Sequence, residues 1–300
     1  MRIMMSGARG FIGSTIVSFL KGKGDEVVRL IRGEPPVGSR DVRWDPANGF
    51  IDKSKLEGFD AVIHLAGEQI ANGRWTEKKK QEIRESRTKG TNLLAQSLAA
   101  LSKPPKVLVS ASAIGYYGDR GNEILTEDSS PGAGFLPEVG RVWEEAAVPA
   151  LRAGIRVVHP RIGIVLGIAG GALGKMLPIF KLGIGGKIGD GRQYMSWISL
   201  DDMVGVLYHC VITETVRGPI NGVAPHPVTN IEFTKILGGV LHRPTFFPLP
   251  AFGARLIFGQ LADEVLLASI RVQPTKLLAS GYPFRHPHLE EALRYVLRKK

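Results

Sequence analysis

The chain has 300 residues, 44% of them hydrophobic and 22% charged, which is the composition of an ordinary soluble globular protein with one large core or a domain plus a smaller partner. One cysteine, Cys210 in the apolar run 204–211, excludes an intrachain disulfide, reads as a buried thiol and fits a reducing, cytoplasmic compartment. The net charge of +11 comes from dispersed cations: Lys78-Lys79-Lys80 has interleaved acids and Arg298-Lys299-Lys300 ends the chain, so no nucleic-acid partner is expected.

The sequence opens into a strand, Ile3–Ser6, with no basic segment and apolar stretch before it, so no secretory leader is expected. A helix over Phe11–Gly22 and a strand over Glu26–Ile31 follow. Ala61–Ala66 reads as a buried strand, Thr76–Leu101 as a long helix, Lys106–Ser112 as a strand, Pro137–Ala153 as a helix and Arg156–Pro160 as a strand. Strands alternating with helices, and runs such as Val107-Leu108-Val109 that are apolar throughout, predict βαβ units with both sheet faces covered. The fold class is α/β: a Rossmann-type doubly wound parallel sheet with a smaller, mainly helical C-terminal lobe. The longest uncharged apolar run, Ile162–Gly174, holds five glycines and falls short of the ~20 residues that span a bilayer, so no membrane partner is expected. Helical periodicity returns over Ala251–Phe258, Ala262–Val272, Pro274–Ser280 and His288–Leu297. The histidines are scattered, with only His286 and His288 close together and no cysteine partner, so no metal site is expected.

Gly7-Ala8-Arg9-Gly10-Phe11-Ile12-Gly13 joins the first strand to the first helix. At that junction the first glycine permits the tight turn. The second admits a pyrophosphate to the helix N-terminus, and the third lets helix and strand pack closely. NAD-binding chains usually carry an acid at the end of the second strand for the ribose hydroxyls. Here Arg29-Leu30-Ile31-Arg32-Gly33 stands there instead. Arg32 offers a fork suited to a 2′-phosphate, and Arg9 adds a second charge, so NADP(H) is the expected cofactor.

These motifs resemble the extended short-chain dehydrogenase/reductase superfamily over nearly the whole chain. Gly7, Gly10 and Gly13 match its glycine motif. Val62–Gly67 resembles the segment lining the adenine side, Ser110-Ala111-Ser112 with Tyr117-Gly118 the strand carrying the catalytic serine, and Pro160–Gly167 the strand passing the nicotinamide. Gly191-Arg192 and Trp197–Asp202 resemble the segment that returns to the sheet below the substrate site. His64–Glu68, Arg74-Trp75-Thr76 and Ser86-Arg87, with the helical end from Pro248, resemble the atypical epimerase-family (YfcH-like) branch with its small C-terminal domain. The resemblance implies a cofactor-binding domain over 1–165 with a returning segment at about 187–224, and a substrate lobe made of 166–186 and 225–300. It also implies that Leu65, Ala66, Gly67, Glu68, Arg87, Ser110 and Pro160 join Gly7, Arg9, Gly10, Phe11, Ile12, Gly13 and Arg32 around the cofactor. Glu68 and Arg87 read equally well as an ion pair. Relatives often dimerise through the two helices at 76–101 and 137–153, so monomer and homodimer both stand.

The superfamily's Tyr-x-x-x-Lys pair is missing. Aligned on Gly140-Arg141, Val139 takes the tyrosine's place and Trp143 the lysine's; of the six tyrosines only Tyr295, in the last helix and far from that segment, has a lysine four residues on, Lys299. Ser112, Tyr116 and Tyr117 remain as catalytic candidates. Lys175, Arg192 and Trp197 are the substrate-pocket candidates, and two cations there suit an anionic small molecule. Two readings follow: an NADP(H)-dependent oxidoreductase or epimerase-like enzyme with a different proton donor, or a non-catalytic NADP(H)-binding regulator. The cell-division labels of some members of the branch allow the second.

Overall fold

The computed structural model describes residues 1–71 and 73–299. Lys300, the last of the terminal cations, lies outside them. The first half runs β1 (Arg2–Ser6), α1 (Phe11–Gly22), β2 (Glu26–Ile31), β3 (Val42–Asp45), β4 (Phe50–Ile51), β5 (Ala61–His64), α2 (Glu77–Ala99), β6 (Val107–Ser110), β7 (Ser112–Ala113), β8 (Ile124–Leu125), α3 (Phe135–Glu145), α4 (Val148–Arg152) and β9 (Arg156–Ile162). The second runs β10 (Ile164–Leu166), α5 (Gly171–Lys181), β11 (Tyr194–Met195), β12 (Trp197–Ser199), α6 (Leu200–Ile212), β13 (Gly218–Gly222), β14 (Val228–Thr229), α7 (Asn230–Leu241), α8 (Ala251–Phe258), β15 (Arg271–Val272), α9 (Thr275–Ala279) and α10 (Leu289–Leu297).

The main sheet has the order β13-β9-β6-β5-β1-β2-β3-β4, with β7 also on β9. Every pairing in it is parallel except β3–β4. Its strands are apolar on both faces because both are covered. Ile16 and Leu20 of α1 and Val204 and Leu207 of α6 pack on one side, and Leu94 and Leu98 of α2 and Ala150 of α4 on the other. Such side chains carry the fold: truncating a buried leucine to alanine costs about 2–5 kcal/mol. From β1 the chain steps outward through β2 and β3, then returns to place β5 on β1's other edge. The strand order reverses there, so the crevice beyond the C-terminal ends of β1 and β5 is where a doubly wound sheet takes its ligand. A second core gathers Leu173, Leu177 and Phe180 of α5, Phe233 and Leu237 of α7, and Leu289 and Leu293 of α10.

Two stretches differ from the helices expected. Pro137–Ala153 is interrupted between α3 and α4, where Pro149 has no N–H to give back to the preceding turn. Ala262–Val272 forms one wide turn, Ala262–Leu266, and then strand β15, which pairs in parallel with β8. Tertiary pairing there overrides helical periodicity.

Candidate functional site

The glycine loop is a cradle that side chains would fill. Gly7 has φ +68°, and a Cβ on it would lie 2.7 Å from the Leu65 carbonyl carbon and 2.8 Å from the Ala66 nitrogen. A Cβ on Gly13 would fall 2.0 Å from Gly7 O. The loop thus presses on the end of β5, and α1 starts directly beneath it. The first helical bond is Ser14 N–H to Gly10 O at 2.9 Å, so the amides of Phe11, Ile12 and Gly13 precede the ladder and point out of the helix end. Such an end binds a pyrophosphate without further help. Phe11 directs its ring away, into the later glycine-rich loop: a Cβ on Gly167 would stand 2.6 Å from it and one on Gly171 3.1 Å. That explains the density of glycine near residue 167.

Arg9 and Arg32 are exposed, and neither makes a hydrogen bond or ion pair among the described residues. The acids near the end of β2 are already engaged, Glu34 by Arg43 and Asp41 by Arg29. No carboxylate there is free for a ribose diol, and the free charges are cationic. The residues present therefore fit a dinucleotide.

Beyond β5, Leu65, Ala66 and Glu68 are half-buried and Gly67 is exposed. Glu68 pairs with Lys79 rather than with Arg87, because Lys79 is one helical turn inside α2 and reaches back over the loop. Arg87 lies under Gly67, 3.6 Å from where its Cβ would be, and donates to Ile83 O at 3.0 Å. Its guanidinium stacks 4.9 Å from the ring centroid of Trp143. Burial pulls it down to about 10, still protonated at neutral pH, with Glu68 opposing at longer range. Trp143 is buried and donates from Nε1 to Thr91 Oγ1 at 3.0 Å, so it faces inward and belongs to no exposed helix face. Thr91 Oγ1 lies 3.1 Å from His64 Nε2, and His64 Nδ1 lies 2.6 Å from Ser6 Oγ, which accepts from Ala66 N–H at 3.2 Å. An indole only donates. Thr91 Oγ1 therefore accepts from it, and the neutral His64 ring donates from one nitrogen and accepts at the other, joining Thr91 to Ser6. Burial holds His64 down at about 4, neutral throughout the physiological range.

The second group surrounds Arg161, a buried charged residue near the end of β9. Arg161 is buried, and Glu144 of α3 meets it bidentately, Nε to Oε1 at 2.8 Å and Nη2 to Oε2 at 2.9 Å. Despite burial, the Glu144 carboxylate and Tyr117 hydroxyl hold the guanidinium pKa above its ordinary value. Ser112 donates from Oγ to Glu144 Oε1 at 2.7 Å, so its proton is committed to the protein. Arg161 Nη1 also donates to the Tyr117 hydroxyl at 2.8 Å, which donates to Asn221 Oδ1 at 2.7 Å. Tyr117 is fully enclosed, and burial pushes it up to about 12. It is a structural member of the network, out of reach of a substrate. Tyr116 differs. Its ring lies over the Arg161 guanidinium, 3.6 Å from the centroid, and against Gly140, whose Cβ would be 3.2 Å from the Tyr116 Cβ. It is half-buried, and its hydroxyl has no hydrogen-bond partner among the described residues. Val139, in the tyrosine's place, is buried with Trp75, Ile83 and Leu261.

Ser110 and Pro160 are buried in adjacent strands, and Ser110 Oγ has no partner among the described residues. Of the substrate-pocket candidates, Trp197 is a core residue: fully buried in the second core, it gives its indole N–H to His226 O at 3.0 Å. Lys175 is exposed on α5 and ties it to the loop between β5 and α2 by donating to Ala71 O at 2.8 Å. Arg192 is exposed, with only its backbone engaged, on Asp190. Glu144, Arg161 and the Arg87–Trp143 stack have no local motif. The legible signal was Arg161 next to Pro160 in a central strand, where a buried cation calls for a buried acid.

The sheet, the switch-point crevice and the glycine cradle define a dinucleotide-binding α/β protein with a C-terminal lobe. The NAD dependent epimerase/dehydratase family matches residues 3–135, and a domain of unknown function (DUF1731) matches residues 249–296. An epimerase family protein of Mycobacterium bovis is 40% identical over 294 residues, spanning 98% of this chain and 97% of the relative. The human epimerase family protein SDR39U1 is 38% identical, spanning 99% and 100%. The crystal structure of human SDR39U1 (isoform 2) with NADPH superposes with a TM-score of 0.91 at 36% identity, covering 99% of both chains. A nucleoside-diphosphate sugar epimerase from Corynebacterium glutamicum superposes with a TM-score of 0.81 at 38% identity, covering 99% of this chain and 58% of that one. The chain belongs to the NAD-dependent epimerase/dehydratase family of extended short-chain dehydrogenase/reductases, among its SDR39U1-like members.

Proposed function

We propose that the chain is an NADP(H)-dependent oxidoreductase in which Tyr116 and Arg87 replace the missing Tyr-x-x-x-Lys pair. One observation supports this reading: each replacement lies beside a vacated position. Tyr116 lies against Gly140, next to Val139, and Arg87 stacks on Trp143. The solved relative bound to NADPH supports the choice of cofactor. Gly7, Gly10 and the first turn of α1 would hold the pyrophosphate, Arg32 and Arg9 the 2′-phosphate, and Arg87 the nicotinamide-side ribose or its phosphate. When bound, the nicotinamide supplies or accepts a hydride at a carbon–oxygen centre. The Tyr116 hydroxyl gives a proton to the substrate oxygen on reduction and takes it back on oxidation. Arg161 lies over the ring and stabilises the phenolate that this leaves, while Glu144 and Ser112 fix Arg161 in place. Lys175 and Arg192 favour an anionic small molecule at the cleft.

The test follows NADPH consumption near 340 nm with a panel of aldehydes, ketones and nucleotide sugars. Tyr116→Phe should slow turnover by about a hundredfold or more, the usual size of a general-acid contribution, with NADPH affinity unchanged. Arg87→Gln should weaken both. An unaltered rate in Tyr116→Phe removes Tyr116 from the chemistry. Val139 and Trp143, both buried and neither able to exchange a proton near neutral pH, favour a second reading, a non-catalytic NADP(H)-binding regulator. Tight NADPH binding with no turnover on any panel member would select it.

A further inference from the structure

The C-terminal lobe carries a surface that dinucleotide binding does not use. Residues 163–189 and 233–262 contain no aspartate or glutamate. The fold lays parts of these segments side by side. Arg243 Nε donates to Lys181 O at 2.9 Å, and Leu249 N–H to Lys187 O at 2.9 Å. From this seam project Leu182, Ile184, Phe246 and Phe247, and α8 adds Phe252 and Leu256, one turn apart on one helix face. These six side chains are between 51% and 83% exposed. Beside them an open groove of about 900 Å³ is rimmed by Lys181, Arg243, Arg298 and Lys299, and among the described residues no acidic side chain lines it. None of these four cations is in an ion pair among the described residues, whereas Arg255 on α8 is already paired with Asp263.

An occupant of this face must cover apolar tips and neutralise free cations together. Exposed apolar clusters of this kind mark interaction sites. A second copy meeting the face symmetrically would set the same cations against each other with no acid to meet them. An anionic bilayer supplies both halves: headgroup phosphates for the cations, and the acyl boundary for phenylalanine and leucine tips. We propose that this face docks the protein on an anionic lipid surface. Among the described residues no helix is long and apolar enough to cross a membrane, so the attachment is peripheral.

The test co-sediments the full chain with vesicles of phosphatidylcholine alone and of phosphatidylcholine with about 30% phosphatidylglycerol. Binding should require the anionic lipid and weaken with added salt. Lys181→Gln with Arg243→Gln should weaken it by about 25-fold, roughly fivefold for each cation lost. Phe246→Ser with Phe252→Ser should weaken it by about tenfold or more through lost apolar insertion. NADPH affinity, as the check on folding, should stay at the wild-type value in both double variants. Failure to bind anionic vesicles, or binding indifferent to both double variants, overturns the proposal. So does a concentration-dependent dimer that Phe246→Ser with Phe252→Ser abolishes, because the occupant is then a second copy.

Discussion

Removing Glu144 should expose how much the buried network costs and what it holds. In Glu144→Ala, Arg161 keeps its charge, since the ordinary pKa of a guanidinium lies far above neutrality, and it keeps its burial. It loses both bidentate bonds, and Ser112 loses its acceptor. The Tyr117 hydroxyl at 2.8 Å and Glu127 O at 3.2 Å remain, and neither carries a charge. Breaking a buried pair from one side costs about 3–5 kcal/mol, because it strands a charge. Replacing both partners with apolar side chains of similar volume removes the charge and the desolvation together. Chemical unfolding followed by circular dichroism should therefore show Glu144→Ala as the worst variant. Glu144→Leu with Arg161→Met should lie within about 1–2 kcal/mol of wild type. The double variant should nevertheless lose activity, because Tyr116 no longer has a cation beneath its ring. A Glu144→Ala cost under about 1 kcal/mol would refute the reasoning, as would a double variant less stable than either single change.

Two further outcomes follow from the cradle and the histidine chain. Gly13→Ala places a methyl 2.0 Å from Gly7 O, so the glycine loop must shift; NADPH binding measured by fluorescence should be lost, with a lowered melting temperature. His64 sits at about 4 when folded against 6.5 as its ordinary value, so the unfolded chain takes up the proton first as pH falls. Stability should hold above pH ~6.5 and decline towards pH ~4, by about 3 kcal/mol from this residue, and urea midpoints for His64→Asn should show a flatter pH profile.

The parallel sheet and the glycine cradle were legible because each rests on local pattern: apolar runs, alternating helices, and glycines at a strand–helix junction. Arg32 was legible for the same reason, since its position follows from the end of β2. Trp197 reads identically as a pocket aromatic and as a core one, and only its depth in the second core separates the two. Tyr116 and Tyr117 are adjacent in sequence yet differ wholly in access, because the short turn between β7 and β8 sends one ring inward to Asn221 and lays the other on Arg161. The Glu144–Arg161 pair joins a helix to a strand, and the Arg87–Trp143 stack joins two helices. No spacing rule connects them. Strands β3 and β4 have too few residues to show a period, and β15 forms only because β8 is there to pair with it.

The central claim is that this crevice takes NADP(H) through Arg32. Titrating the protein with NADPH and with NADH, and repeating both with Arg32→Ala, tests it most directly. The account predicts a clear wild-type preference for NADPH. It also predicts that Arg32→Ala weakens NADPH alone by about ten- to a hundredfold, the value of a charge-assisted contact. Equal affinity of the wild type for the two cofactors, or an Arg32→Ala that weakens both alike, would contradict it.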